Sequence, residues 1–334
     1  MIEVTPKGLY CPVADVYIDP WKGVPKALIT HAHSDHARSG NGLYIAQEHC
    51  VPLLKARISQ NIVTQSLQYG ESISMNGVNI SFHPAGHIPG SAQIRLEYRG
   101  EVWVVSGDYK VEHDGISIPF EPIKCHAFIS ESTFGLPVFR WRPQVEIFEE
   151  INDWWRKNAE QNICSVVLAY SLGKAQRILQ NVDHHIGPVY SHSAVAEMND
   201  IVRSFSPQLP QSEKWSASIL ASKFRNALII APPAVNNTPW INRFKPYSLA
   251  VASGWMNLRG SKRWSAADRG FVLSDHADWN GLNEGVKATG AEKVYITHGY
   301  TAVYSRWLNS IGIESHELQT LFGGDNAEEM KEVV

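Results

Sequence analysis

The stretch LITHAHSDHARSG, from Leu28 to Gly40, constrains this chain more than any other feature of its sequence. Its apolar start predicts the end of a buried strand. Directly after it come four groups of metal-binding type, His31, His33, Asp35 and His36. Imidazole and carboxylate ligands without a thiolate suit zinc, manganese or iron. We expect His31 and His33 to face one cation and Asp35 and His36 a second, rather than a His-rich surface loop.

Two cations need more ligands than one loop supplies, and three candidates stand at the ends of other predicted strands. They are His87 in PAGHIPGS, Asp108 in VVSGDY and His298 in VYITHGY. Taken singly, each could be an ordinary loop residue. The first cluster makes them candidate ligands, and the Asp108 carboxylate could bridge both cations. Asp19 in VYIDP is expected to hold the histidine loop by hydrogen bonds rather than to bind metal.

Composition narrows the class of protein without identifying its function. The chain has 334 residues, of which 44% are hydrophobic and 19% charged, so we expect one large or two packed domains. A net charge of -3 does not indicate a nucleic-acid-binding protein, and any basic surface must be local. The four cysteines form no C-x-x-C pair and are expected to be buried thiols in a reducing compartment. No signal peptide and no apolar run of membrane-span length is visible, so a cytoplasmic protein without a membrane partner is expected.

The order of predicted elements indicates a discontinuous first domain. Before about Gly135 the chain predicts short strands and tight turns, including a hairpin that turns at Arg99-Gly100. From there to the basic stretch near Trp264, strands alternate with helices, which is typical of a parallel sheet. GFVLSDHADWN and KVYITHGY then return to strands that end in histidine. The second domain is therefore expected to be inserted into the first.

Taken in order, the motifs resemble those of a known superfamily. That superfamily is the metallo-β-lactamases. The positions that match its motif series are Asp19, His31-x-His33-x-Asp35-His36, His87, Asp108 and His298. Glu131 in SEST, His276 in SDHADWN and His298 in THGY resemble motifs A, B and C of its β-CASP nucleases. The resemblance implies an α/β fold, an αββα metallo-β-lactamase sandwich with an inserted β-CASP domain made of a parallel sheet with flanking helices. The implied domains are 1-134 with 266-334, and 135-265.

The same resemblance implies roles for the site residues. His31, His33, His87 and Asp108 would hold one metal ion, and Asp35, His36, Asp108 and His298 the other. Two divalent ions, zinc or manganese, are therefore expected for each chain, and they would promote attack of water on a phosphodiester. Asp108, His276 and Glu131 are the expected catalytic group. His276 would protonate the leaving oxygen, while Glu131 orients it and favours its imidazolium form.

Two stretches are candidate contacts to a nucleic-acid substrate. GWMNLRGSKRWS places Arg259, Lys262 and Arg263 between two tryptophans, a pattern that suits single strands because cations bind phosphates and rings stack on bases. A solvated basic loop beside core tryptophans is the alternative. SLGKAQR places Ser171 and Lys174 where a helix begins, which could hold a phosphate or be ordinary helix capping.

The leading hypothesis is a two-metal nuclease, with two other classes still open. A small-molecule metallohydrolase would not need the inserted domain or the Glu131/His276 pair, and a non-catalytic subunit would not keep every ligand position filled. A histidine at motif C, here His298, is typical of RNA-processing relatives and favours an RNA endo- or exonuclease of the mRNA 3′-end-processing type. The sequences of the motifs resemble those of the bacterial DNA ligase-associated exonucleases. That resemblance favours a DNA exonuclease for DNA repair, which acts on single strands beside a ligase system.

Overall fold

The structure is a computed structural model that describes residues 1–258 and 267–322. The chain divides into two compact units. The first contains Met1–His113, Ser117–Arg140 and the described residues from His276 onward. The second contains Asp114–Ile116 and the described residues of Trp141–Asp275. Within the described ranges, no helix combines the length and the apolar character needed to cross a membrane.

The first sheet of the first unit has six strands in chain order. They are β1 (Glu3–Thr5), β2 (Gly8–Cys11), β3 (Val16–Ile18), β4 (Lys26–Ile29), β5 (Leu43–Gln47) and β6 (Thr64–Leu67). Strands β1 to β3 pair antiparallel, and β3 to β6 pair parallel. Helix α1 (Cys50–Arg57) lies against β5 and β6 and buries Leu53 and Leu54.

The second sheet of the first unit has seven strands, numbered along the chain. They are β7 (Ser72–Met75), β8 (Val78–Pro84), β9 (Ala92–Tyr98), β10 (Glu101–Val105), β11 (Ala127–Ser132), β18 (Lys293–Gly299) and β19 (Glu314–Glu317). Their order across the sheet is β19-β18-β11-β10-β9-β8-β7. Strands β7 to β10 form an antiparallel meander, and β10, β11, β18 and β19 pair parallel. Helices α5 (Trp279–Thr289) and α6 (Thr301–Ser310) belong to the same unit.

The two sheets of the first unit pack face to face. Alternating residues of β8, such as Ile80 and Phe82, share one buried cluster with Leu9 and Ile18 of the first sheet. Period-2 alternation is the pattern that gives a strand one face for such a core. The opposite face of the second sheet forms another buried cluster with side chains of α5 and α6, including Leu282. The result is an αββα sandwich, and the predicted α/β fold class is confirmed.

The second unit is built on a parallel sheet. Its strands are β12 (Cys164–Leu168), β13 (Val189–Ser191), β14 (Glu213–Lys214), β15 (Leu228–Ala231), β16 (Tyr247–Ala252) and β17 (Arg269–Phe271). They lie in the order β14-β13-β15-β12-β16-β17, and every pairing is parallel. Its helices are α2 (Gln144–Glu160), α3 (Lys174–Asn181) and α4 (Ser193–Phe205). The central strands β12 and β15 are buried along their whole length because a parallel sheet is covered on both faces.

Strand direction in the first unit gathers several loops at one edge. Strands β10, β11 and β18 are parallel neighbours, so their carboxyl ends meet. Strand β8 runs the same way, since two antiparallel pairings separate it from β10. Polar side chains that follow these strands are therefore brought together, as is common where α/β folds build sites.

Candidate metal centre

The predicted ligands of the first unit all stand at or just beyond strand ends. His31 follows β4 after one residue, His87 follows β8, and Asp108 follows β10. His298 is the next-to-last residue of β18. These four side chains are at least 94% buried, with His31 and His87 fully so. The structure thus brings to one place residues that lie more than 200 positions apart in the chain.

Asp108 is the centre of the cluster. Two groups have ligand atoms within 4.8 Å of one another, His31 with His33, His87 and Asp108, and His36 with Asp108 and His298. Asp108 Oδ2 lies 3.5 Å from the Nε2 atoms of both His31 and His36, and Oδ1 lies 2.9 Å from Nε2 of His298. One carboxylate therefore reaches both groups, as a bridging ligand must.

Asp35 and Asp19 take different places around His36. Asp35 is outside the second group, although its Oδ2 lies 3.8 Å from His36 Nε2. Asp19 is on the other side of the imidazole, where its Oδ2 lies 2.7 Å from Nδ1. Asp19 also accepts hydrogen bonds from the backbone N–H of Thr30 (2.8 Å) and from its hydroxyl (2.5 Å). Asp19 is therefore placed to orient the loop and the ring of His36.

Two buried nitrogen atoms that hydrogen bonds leave unpaired are suited to ligate a divalent cation. The Nε2 atoms of His31 and His36 are buried and make no hydrogen bond with any described residue. Their Nδ1 atoms are engaged, that of His31 with the Thr30 hydroxyl at 3.0 Å and that of His36 with Asp19. A histidine that donates Nδ1–H to an oxygen keeps Nε2 free as a neutral ligand. Buried nitrogen without a partner, beside carboxylate oxygen, matches the ligand preference of zinc and manganese.

Two threonines complete this arrangement, and the sequence analysis missed them. The tripeptide Ile-Thr-His occurs at the ends of both β4 and β18, with Thr30 before His31 and Thr297 before His298. Thr297 Oγ1 lies 2.9 Å from Nδ1 of His298 and donates to Ser130 O. Since each hydroxyl donates elsewhere, it can accept Nδ1–H from the histidine that follows. The repeated tripeptide was the signal that could have identified them.

Burial and the contacts among its members dominate the electrostatics of the cluster. Burial lowers the pKa of His31 well below its ordinary value, and the neighbouring His36 lowers it further. Burial also opposes charge on His36, but Asp108, Asp35 and Asp19 outweigh it and raise its pKa to about 10. Burial also opposes charge on Asp108, but the neighbouring histidines, His36 first, outweigh it and hold the pKa of Asp108 well below its usual range. The cluster therefore favours positive charge beside Asp108.

A glycine permits the close approach of two loops of the cluster. Gly107 has φ of +58°, and a Cβ there would lie 2.7 Å from the side chain of Thr30. An L-residue would be strained in this conformation and would also collide with Thr30. Glycine is thus required at position 107 for Asp108 to lie beside the histidine loop.

His276 and Glu131 form a buried pair next to the ligands. Nδ1 of His276 lies 3.0 Å from Oε1 and 2.9 Å from Oε2 of Glu131. The His276 and His87 rings are 4.6 Å apart, and ligand atoms of Asp108, Glu131 and His276 lie within 4.8 Å of one another. Glu131 itself accepts a hydrogen bond from the backbone N–H of Tyr109 at 2.8 Å. The carboxylate is therefore fixed, and it can hold the imidazole in one orientation.

The predicted substrate contacts belong to the second unit or lie outside the described residues. Ser171 and Lys174 belong to the second unit and are buried, with Lys174 Nζ placed 4.7 Å from the centre of the Tyr170 ring. At the start of α3 the N–H of Gly173 already donates to Gln176 Oε1. These contacts are those of a capped helix and a packed lysine, so phosphate binding there stays a prediction. Arg259, Lys262 and Arg263 lie outside the described residues.

The αββα sandwich with a cluster of histidines and carboxylates at its strand ends is the arrangement that the resemblance to the metallo-β-lactamases implied. The relatives of the chain are β-CASP metallo-β-lactamase nucleases and a probable DNA ligase, as the order of its motifs predicted. One relative, a probable DNA ligase from Opitutus terrae, is 26% identical over 97% of this chain and 31% of its own length. Another, a ribonuclease from Thermus thermophilus, is 27% identical over 73% of this chain and 63% of its own.

Other comparisons bear on the fold and on the extent of the likeness. No family model matches the chain. A crystal structure of a protein of unknown function from Enterococcus faecalis superimposes with a TM-score of 0.59 over 89% of this chain and 79% of that one, at 10% identity. The chain spans less than two thirds of the length of each curated relative named above. The activities of those longer proteins therefore bear on this chain only as a hypothesis.

Proposed function

We propose that this protein is a two-metal phosphodiesterase that acts as a DNA exonuclease. The observation that carries the proposal is the cluster around Asp108, in which buried histidine Nε2 atoms without hydrogen bonds face a shared carboxylate. Such a donor set is poorly suited to packing alone, because unpaired buried polar atoms are costly. The relatives with nuclease names support the same reaction class.

The cluster is proposed to hold two divalent cations, zinc or manganese. His31, His33, His87 and Asp108 would ligate one, and Asp35, His36, Asp108 and His298 the other. When bound, such a pair supplies an activated water and positive charge for the oxygens of an in-line displacement. Asp108 would belong to both sets of ligands and fix their spacing. Asp19, Thr30 and Thr297 would hold the imidazoles in their ligating tautomer.

His276 is proposed to give a proton to the leaving oxygen. Its Nδ1 is engaged by Glu131, and we assign the transfer of the proton to Nε2. Glu131 stabilises the imidazolium form before transfer and keeps the ring oriented during it. A buried pair is suited to this work because little reorganisation is needed as the reaction proceeds.

The domain assignment belongs to the same proposal. Residues 1-134 and 266-334 would form the metallo-β-lactamase domain, and 135-265 the β-CASP domain. The β-CASP domain would carry Ser171 and Lys174 near the start of α3, and together with Arg259, Lys262 and Arg263 these would contact single-stranded substrate. The cysteines Cys11, Cys50, Cys125 and Cys164 are all buried without a disulfide, which supports a reducing, cytoplasmic compartment.

DNA is preferred to RNA as the substrate because of one relative. The probable DNA ligase matches nearly the whole of this chain, which supports a repair reaction carried out beside a ligase system. RNA is the second candidate, since a ribonuclease matches 73% of the chain and motif C is a histidine. In either case the same residues would cleave the same kind of bond.

A side-by-side cleavage assay tests the proposal. End-labelled single-stranded DNA and RNA of one sequence are incubated with the protein and Mn²⁺ or Zn²⁺, with Asp108→Ala as the blank. Metal-dependent shortening of DNA from one end supports the exonuclease and gives its polarity. Cleavage of RNA alone would transfer the function to the RNA-processing class, and cleavage of neither would refute a nuclease.

A further inference from the structure

The segment Leu318–Phe322, called the C-terminal strap here, follows β19 and is tied to the end of β18. The backbone N–H of Leu318 donates to Ile296 O at 2.8 Å, and the hydroxyl of Thr320 donates to Thr297 O at 2.7 Å. Both acceptors lie in β18, the strand that contains His298. The strap therefore follows this strand to the candidate metal centre.

At its end the strap places an aromatic ring on the histidines of the second ligand group. The Phe322 ring is stacked on that of His36, with centroids 4.5 Å apart and planes only 5° from parallel. Its edge contacts His298 at 5.8 Å and Trp21 at 5.7 Å. In the described part of the chain, these are the ring contacts of Phe322. Among the described residues, the ligand rings that Phe322 contacts are therefore those of the His36–Asp108–His298 group. The rings of the other ligand group are not among them.

The stacking supplies a restraint that the hydrogen bonds of His36 do not. The bond from Nδ1 to Asp19 fixes one atom of the imidazole, but the ring can still tilt about that contact. A parallel aromatic neighbour fixes the plane of the imidazole as well. The direction of Nε2 follows from the plane. Contacts behind a ligand are known to change metal affinity roughly 10- to 100-fold.

We infer that Phe322 is a positioning residue of the second ligand group. Its ring holds the His36 imidazole in the ligating plane and covers that group, so it slows the release of the cation held by His36, Asp108 and His298. This inference rests on the proposed metal centre. It adds a difference between the two positions, since the ring contacts of Phe322 with the described ligands are those with His36 and His298 of the second group.

Metal release tests the inference without any measurement of activity. The wild-type protein and the variants Phe322→Ala, Phe322→Leu and Phe322→Tyr are loaded with Co²⁺ and dialysed against a chelator. Cobalt per chain and the visible absorption of the bound ion are followed with time. We expect alanine and leucine to release one equivalent roughly tenfold faster than wild type and the other at the wild-type rate. Tyrosine keeps the aromatic face and should behave as wild type.

Tyr10→Ala is the matched control, since it removes a ring from another close aromatic pair of the same unit, 4.5 Å from Tyr17. It should release cobalt as wild type does. If the alanine variant does not fold, the comparison of the leucine and tyrosine variants still decides, because both keep a large side chain at this position. Release from the leucine variant at the wild-type rate would overturn the inference while leaving the metal centre intact. A wild-type protein that binds no cobalt would refute the metal centre itself.

Discussion

At the scale of the residue, the site depends on which group each of the two imidazole nitrogens faces. His31, His36 and His298 each engage Nδ1 with an oxygen, from Thr30, Asp19 and Thr297 respectively. Their Nε2 atoms converge on Asp108. His276 shares this arrangement, with Nδ1 bound to Glu131, but the proposal assigns its other nitrogen to a proton rather than to a metal.

This difference predicts that substitutions of His276 and of Asp108 have different effects on bound metal and on turnover. His276→Ala should keep the bound metal and lose most turnover, on the order of 10²- to 10⁴-fold, because general acid catalysis contributes about that much. Asp108→Ala should lose metal and turnover together, since it belongs to both ligand groups. Metal analysis and a nuclease assay on the same preparations make the comparison. Full activity of His276→Ala would remove its assignment as the general acid.

At the scale of the element, the neighbouring strands β11 and β18 approach each other very closely where they end. Gly299 ends β18 with φ of +86°, and a Cβ at this position would lie 2.2 Å from Ser132 O of the neighbouring strand β11. The Ser132 hydroxyl also donates to His298 O at 2.6 Å. The ends of β11 and β18 are therefore locked together where Glu131 and His298 enter the site.

Gly299→Ala tests this close approach, with Gly100→Ala as its matched control. Gly100 has nearly the same φ, +84°, but a Cβ there meets nothing within 4 Å. The control should therefore show only the backbone strain, about 1 kcal/mol of unfolding free energy. Gly299→Ala adds the collision and should cost about 3 kcal/mol or more. Urea denaturation of both variants measures the two losses, and equal losses would show that Ser132 imposes no constraint.

Local signals in the sequence predicted much of the fold and its site. The Arg99-Gly100 turn predicted a hairpin, and β9 and β10 pair antiparallel across it, with both turn residues at positive φ. The histidine cluster and the strand-end residues were found in the same way. The stacking of Phe322 on His36 could not be, because it joins positions far apart in the chain through tertiary packing. The partners of Asp108 likewise became visible only when the strands were paired.

At the scale of the whole molecule, the metal centre is expected to stabilise the fold of the first unit. Its ligands come from both sheets of the sandwich, with His31 after β4 and Asp108 after β10. A ligand that binds only the folded state at a thousandfold excess over its Kd adds about 4 kcal/mol. A chelator should therefore lower the Tm of the wild-type protein and leave that of Asp108→Ala unchanged. Calorimetry with and without chelator measures this, and identical Tm values for the wild type would contradict it.

The central claim is that the cluster around Asp108 is a metal centre, and metal stoichiometry tests it most directly. Elemental analysis by mass spectrometry is carried out on wild type and on Asp108→Ala, after circular dichroism has shown that both are folded. Two ligand groups that share one carboxylate predict two divalent cations per wild-type chain and the loss of both in the variant. A wild-type chain that holds no cation, or a variant that keeps both, would contradict the account.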